Sequence, residues 1–169
     1  QAMLKYRIIS GITMVAIMVA AVFWEARESG LIFLLLAGLA VSYGLREYFH
    51  MTGKMGAPGF AALTNAAGVT YIAFAALAGA TMQPIGRFPG RELCLALLII
   101  AGVIRVFQSD DFAIGLRNLG ASLAGFLYLP WMLSFMVAIY FMDYTSRNGP
   151  YLVFFLIMCT KMGDTGGYT

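Results

Sequence analysis

The sequence predicts an all-α protein: a polytopic transmembrane helical bundle, with about six membrane helices in its 169 residues. Three observations lead to that class. Hydrophobic residues make up 61% of the chain and charged residues only 11%, against roughly 25% charged in ordinary soluble domains. The apolar residues gather in six runs joined by short polar links. Within a run such as Leu31-Ile32-Phe33-Leu34-Leu35-Leu36 there is none of the alternation that a membrane strand requires. A helix satisfies every backbone hydrogen bond internally, which is what lipid demands. No charged block of the kind that binds nucleic acid is present, so that class of partner is excluded.

The runs cover residues 8–23, 31–45, 60–80, 93–107, 119–141 and 151–169. Crossing a hydrocarbon core about 30 Å thick takes about 20 apolar residues. The third and fifth runs meet that length, whereas the first, second and fourth need tilt or amphipathic ends. The first follows Lys5 and Arg7 and carries no convincing signal-peptide cleavage site. Pro and Gly in the links at 84–91 and 143–150 are expected to stop helices and turn the chain. Pro130, inside the fifth run, is expected to kink its helix by removing one hydrogen bond.

Most of the isolated polar residues have a structural explanation. Asp110-Asp111 beside Ser109 reads as a helix-start cap before it reads as a metal pair, since acids favour helix N-termini. His50 lacks a second histidine or cysteine at ligand spacing, and an interfacial position is expected for it. Arg46-Glu47 suits interfacial anchoring as well as it suits support of a site. Trp24, Trp131 and the tyrosines near span ends suit an aromatic belt. Cys94 and Cys159 sit in separate apolar runs without CxxC spacing and read as inert thiols. Ala75 and Gly79 offer a small-residue packing face.

The sixth run is different. It proceeds from Tyr151 to Thr160 without a charge and then meets Lys161-Met162-Gly163-Asp164-Thr165-Gly166-Gly167-Tyr168. Ten helical residues rise about 15 Å, half the core, so Lys161 and Asp164 are expected at membrane depth. Their i,i+3 spacing puts them on one face. Lipid cannot solvate an ionised side chain, which costs about 2.5–3.5 kcal/mol at a helix centre; that face should line a wet cavity. A shallow or tilted segment, leaving both as interfacial anchors, is the equal alternative. Six alternating spans would put Lys5, Arg7, Arg46, Lys54, Arg105, Arg117 and Lys161 on one side and Arg27, Arg87, Arg91 and Arg147 on the other. The richer side is expected to be cytoplasmic, with the Lys161–Asp164 stretch facing it. A cavity carboxylate there suits Mg²⁺, which binds through one or two carboxylates plus substrate phosphates.

Asp164-Thr165-Gly166-Gly167-Tyr168 resembles the Asp-x-Gly-Ala-Tyr element of the phosphatidate cytidylyltransferases (CDP-diacylglycerol synthases), with Gly167 where that family usually has alanine. Leu119-Gly120, Leu127-Tyr128-Leu129-Pro130 and Leu133-Ser134-Phe135 resemble the preceding stretch, Arg46-Glu47-Tyr48 is similar to its Glu-Trp/Tyr pair, and Lys5 to Gly11 to its basic start. The resemblance implies a Mg²⁺-dependent enzyme of phospholipid biosynthesis. It would transfer CMP from CTP to phosphatidic acid, giving CDP-diacylglycerol and pyrophosphate. Asp164 would be the catalytic and metal-binding carboxylate, and Lys161 and Tyr168 would contact substrate. The partners implied are CTP, phosphatidic acid and the lipid bilayer, with room for a homodimer. The setting would be the bacterial inner membrane, with the site facing the cytoplasm. Residues 1–118 would form the N-terminal transmembrane helices, and 119–169 the start of a truncated catalytic region. The family's later Lys-Asp, Pro-Gly-His-Gly-Gly and Asp-Arg-x-Asp stretches do not occur here, so this chain alone is expected to be inactive. The competing readings are a CTP-dependent polyprenol kinase and a transporter or channel fragment without catalytic activity; no inverted repeat is visible to favour a transporter.

Overall fold

The computed structural model describes residues 30–80, 89–142 and 148–166, excepting the side chains at 79, 80, 89, 148 and 161–166. These residues are built of helices: α1 (Leu31–Lys54), α2 (Ala61–Ala80), α3 (Pro89–Phe107), α4 (Phe112–Phe126), a π-helical turn (Leu127–Trp131), α5 (Met132–Phe141) and α6 (Asn148–Gly166). The described helices follow the expected runs, but α1 continues nine residues past its expected end and α4 begins seven residues before its expected start.

α1 shows how the sequence sets the core. Phe33, Ala37, Val41, Leu45 and Phe49 recur at every fourth position and are its buried residues, because i and i+4 lie on one helix face. Leu31, Leu35, Leu39 and Tyr43 lie off that face and are exposed; a bilayer is the solvent that accepts them. Since lipid tails are as apolar as these side chains, helix association there depends on close fit and interhelical hydrogen bonds. α2 provides the fit, packing against α1, α3, α4, the π turn and α5. Ala75 and Ala76 are buried on it. Gly68 approaches Pro130 so closely that a Cβ would stand 2.7 Å from the proline ring. Across the α1–α2 seam, Ser42 Oγ donates to Asn65 Oδ1 at 3.0 Å.

Among the described residues, three helices are long and apolar enough to cross a membrane: α1, α2 over Ala61–Ala78, and the continuous Phe112–Phe141 element. That is fewer than the six or so expected, and the physical reasons are specific. The expected first run, residues 8–23, lies outside the described residues. α3 starts at Pro89, not at 93, and so contains Arg91 and Glu92 as well as Arg105; Glu92 and Arg105 are exposed, and charge against lipid is expensive. The described apolar part of α6, Gly149–Thr160, is a shorter helix.

One proline expectation is revised and one cap expectation is met. Pro89 does not stop a helix but opens α3, since a missing N–H costs nothing at the first helical position. Pro130 sits in the π turn. Widening the turn relieves the clash between its ring and the carbonyl four residues back, and the helix continues into α5. Asp111 is the N-cap of α4, its carboxylate accepting from Ala113 N–H at 2.8 Å and Ile114 N–H at 3.4 Å.

Candidate functional site

One end of the bundle gathers the two described links, residues 55–60 and 108–111. The backbone turns between α1 and α2 at Gly59, which has a φ of 64° and would drive a Cβ into the Phe49 ring. Gly59 N–H donates to Asn118 Oδ1 at 3.3 Å, and Phe60 N–H to Ser122 Oγ at 2.7 Å. These bonds tie the 55–60 link to the first turns of α4. Gly115 lies against the backbone of Val106, bringing the end of α3 to the same place. Gly149 lies against the backbone carbonyls of Ile139 and Tyr140, and α6 packs on α5. α6 therefore doubles back along α5 and finishes toward this polar end.

The helix of α6 runs through Lys161 and Asp164, so their backbone positions share a face as expected. Its start at Asn148 is three residues earlier than the expected run. At 1.5 Å per residue, Lys161 is about 20 Å and Asp164 about 24 Å along it. Their side chains lie outside the described residues, as does Tyr168 altogether. Among the described residues, no three metal-ligating side chains converge. A single carboxylate completed by phosphate oxygens is within the donor set that Mg²⁺ accepts, and Asp164 is the residue that would supply it.

Beside the polar end, a groove of about 490 Å³ runs between α1 and α2, lined by Leu39, Ser42, Tyr43, Arg46, Phe49 and Asn65 among others. Its size is in the ligand-pocket range of about 300–1,000 Å³. Arg46 lines it and Glu47 is exposed next to it, in keeping with an interfacial position. His50 is exposed on α1. Of the described basic residues, Arg46, Lys54, Arg105 and Arg117 belong to this end.

The residue that sequence reasoning misplaced is Arg91. It was expected in a link, yet it lies in the first turn of α3 and is only 4% exposed. Nη2 donates to Ser134 Oγ at 2.8 Å and to Tyr71 Oη at 3.2 Å. The guanidinium carbon stands 4.9 Å from the Tyr71 ring centre and 5.7 Å from that of Phe135. Ser134 Oγ donates in turn to the Trp131 carbonyl at 2.6 Å, linking the arginine to the π turn. Pro89 was the available signal: read as a helix-opening residue, it would have put Arg91 inside the helix.

No curated protein matches the chain, and no solved structure does. A family model described as the cytidylyltransferase family matches residues 5–169, the six apolar runs and the polar end of α6 included. The described residues form a helical bundle with apolar, membrane-suited helices, and the chain belongs to the cytidylyltransferase family.

Proposed function

We propose that the chain is part of an integral-membrane phosphatidate cytidylyltransferase, which transfers CMP from CTP to phosphatidic acid. The observation that carries this reading is the family match over residues 5–169 on a chain whose last helix ends in Asp164-Thr165-Gly166-Gly167-Tyr168. A phosphate oxygen of the lipid attacks the α-phosphorus of CTP. The bond from that phosphorus to the bridging oxygen breaks, and pyrophosphate leaves as CDP-diacylglycerol forms. Both reactants are anions, so the protein must gather them against their repulsion. Mg²⁺, when bound, supplies neutralisation of the transferring phosphates.

The residues of this chain then have distinct tasks. Asp164 would hold the cation together with phosphate oxygens, and Lys161 and Tyr168 would contact substrate. Arg46, Lys54, Arg105 and Arg117 give the same end a positive bias, which favours a cytoplasmic orientation and a nucleotide approaching from that side. The run at residues 8–23, α3 and α6 complete about six membrane elements, in a bacterial inner membrane.

Asp164→Asn in the complete enzyme tests the reading. In proteoliposomes given labelled CTP and phosphatidic acid, CDP-diacylglycerol synthesis falls severely while membrane insertion is unchanged. Wild-type turnover by this variant would remove the assigned role. Product formed by the wild type on a polyprenol acceptor, and none on phosphatidic acid, would overturn the substrate assignment.

A further inference from the structure

A guanidinium carries a positive charge, and Arg91 is buried with no counter-charge among the described residues. Both described hydrogen-bond partners, Tyr71 and Ser134, are neutral. Among the described residues, Nε and Nη1 have no partner, and no carboxylate pairs with it. Glu92, its neighbour, is exposed. The placement adds to the imbalance: the first turn of a helix carries free N–H groups and the positive end of the macrodipole, a location that disfavours a cation. An isolated buried charge of this kind is retained where something of opposite sign answers it.

The geometry also presents the group. The guanidinium carbon stands over the Tyr71 and Phe135 rings, and Ser134 and Tyr71 fix one of its terminal nitrogens. Its orientation is therefore set by α2, α3 and α5 together. Tyr71 is about 15 Å from the start of α2 and Ser134 about 10 Å from the end of α5, so the group acts at depth within the bundle. A fixed, planar donor of this type matches an oxyanion better than a mobile lysine would.

We propose that Arg91, with Tyr71 and Ser134, forms a binding site for a phosphate oxyanion inside the bundle. The phosphate belongs either to an anionic lipid headgroup or to a free phosphate. The site is separate in sequence and in helix from Lys161 and Asp164, and the choice of phosphate over other oxyanions rests on the cytidylyltransferase reading.

The complete enzyme in neutral detergent micelles is titrated with short-chain phosphatidic acid, and separately with inorganic phosphate, in the absence of CTP. Arg91→Gln should weaken phosphate binding about ten- to a hundredfold, the loss of a charge-assisted contact. Arg91→Lys, which keeps the charge but loses the fork, should retain part of it. Binding of phosphatidic acid but not inorganic phosphate identifies the lipid source; competition by inorganic phosphate identifies the free one. If Arg91→Gln does not fold, Arg91→Lys and Ser134→Ala carry the test, each expected to weaken binding several-fold. Unchanged binding in the folded variants overturns the site. Asp164→Asn should still bind, so loss of turnover there and loss of binding here separate the two proposals.

Discussion

Gly149→Ala is the substitution that most directly probes how α6 is seated. An added Cβ would stand 2.7 Å from the Ile139 carbonyl oxygen, and the Tyr140 carbonyl oxygen is nearer still. Ordinary contact begins at 3.4 Å, so the shortfall is at least 0.7 Å and both obstacles are backbone. Neither carbonyl can swing aside as a side chain can. α6 must therefore back away from α5 by roughly 1 Å, at an overpacking cost of about 1–3 kcal/mol. Asp164 lies about 22 Å further along the same helix, with no hinge between, and a misplacement of about 1 Å near reacting groups costs about 10²-fold in rate. Thermal unfolding in detergent and CDP-diacylglycerol synthesis by the complete enzyme would be measured together. Gly120→Ala is the control, because nothing lies within 4 Å of its Cβ. If Gly149→Ala matches Gly120→Ala in both measurements, the seating of α6 described above is wrong.

Ser122→Ala strands the Phe60 N–H that it accepts at 2.7 Å, and should lower stability by about 1–3 kcal/mol, read by denaturant unfolding. Asp111→Ala removes the α4 cap and should cost about 0.5–2 kcal/mol; Asp111→Ser should recover most of it, and turnover should be unchanged in both. Asp164→Cys, with Cys94 and Cys159 replaced, should react with a membrane-impermeant maleimide supplied from the cytoplasmic side. Labelling from the opposite side alone would invert the assigned orientation.

Local signals accounted for much of this architecture. Apolar runs gave the helices, because lipid leaves the backbone little alternative. The one-in-four recurrence from Phe33 to Phe49 gave the buried face of α1, and Asp111 announced its own cap. Lys161 and Asp164 stood out because charge after an uncharged run is costly in hydrocarbon. Each of these follows from residues within a turn or two of one another.

The environment of Arg91 depended instead on residues brought together from afar. Its partners Tyr71 and Ser134 are 20 and 43 residues distant, on helices whose facing sides follow from the fit of Gly68 against Pro130. Likewise, the bonds closing the polar end join Gly59 to Asn118 and Phe60 to Ser122 across 59 and 62 residues. Helix formation is a short-range matter of backbone hydrogen bonds and solvent, written in consecutive residues. Which helices meet, and which polar groups face each other when they do, is decided by shape and charge matching among segments far apart in the chain. That is why the helices were legible in consecutive residues, while the buried cation came only from the assembled bundle.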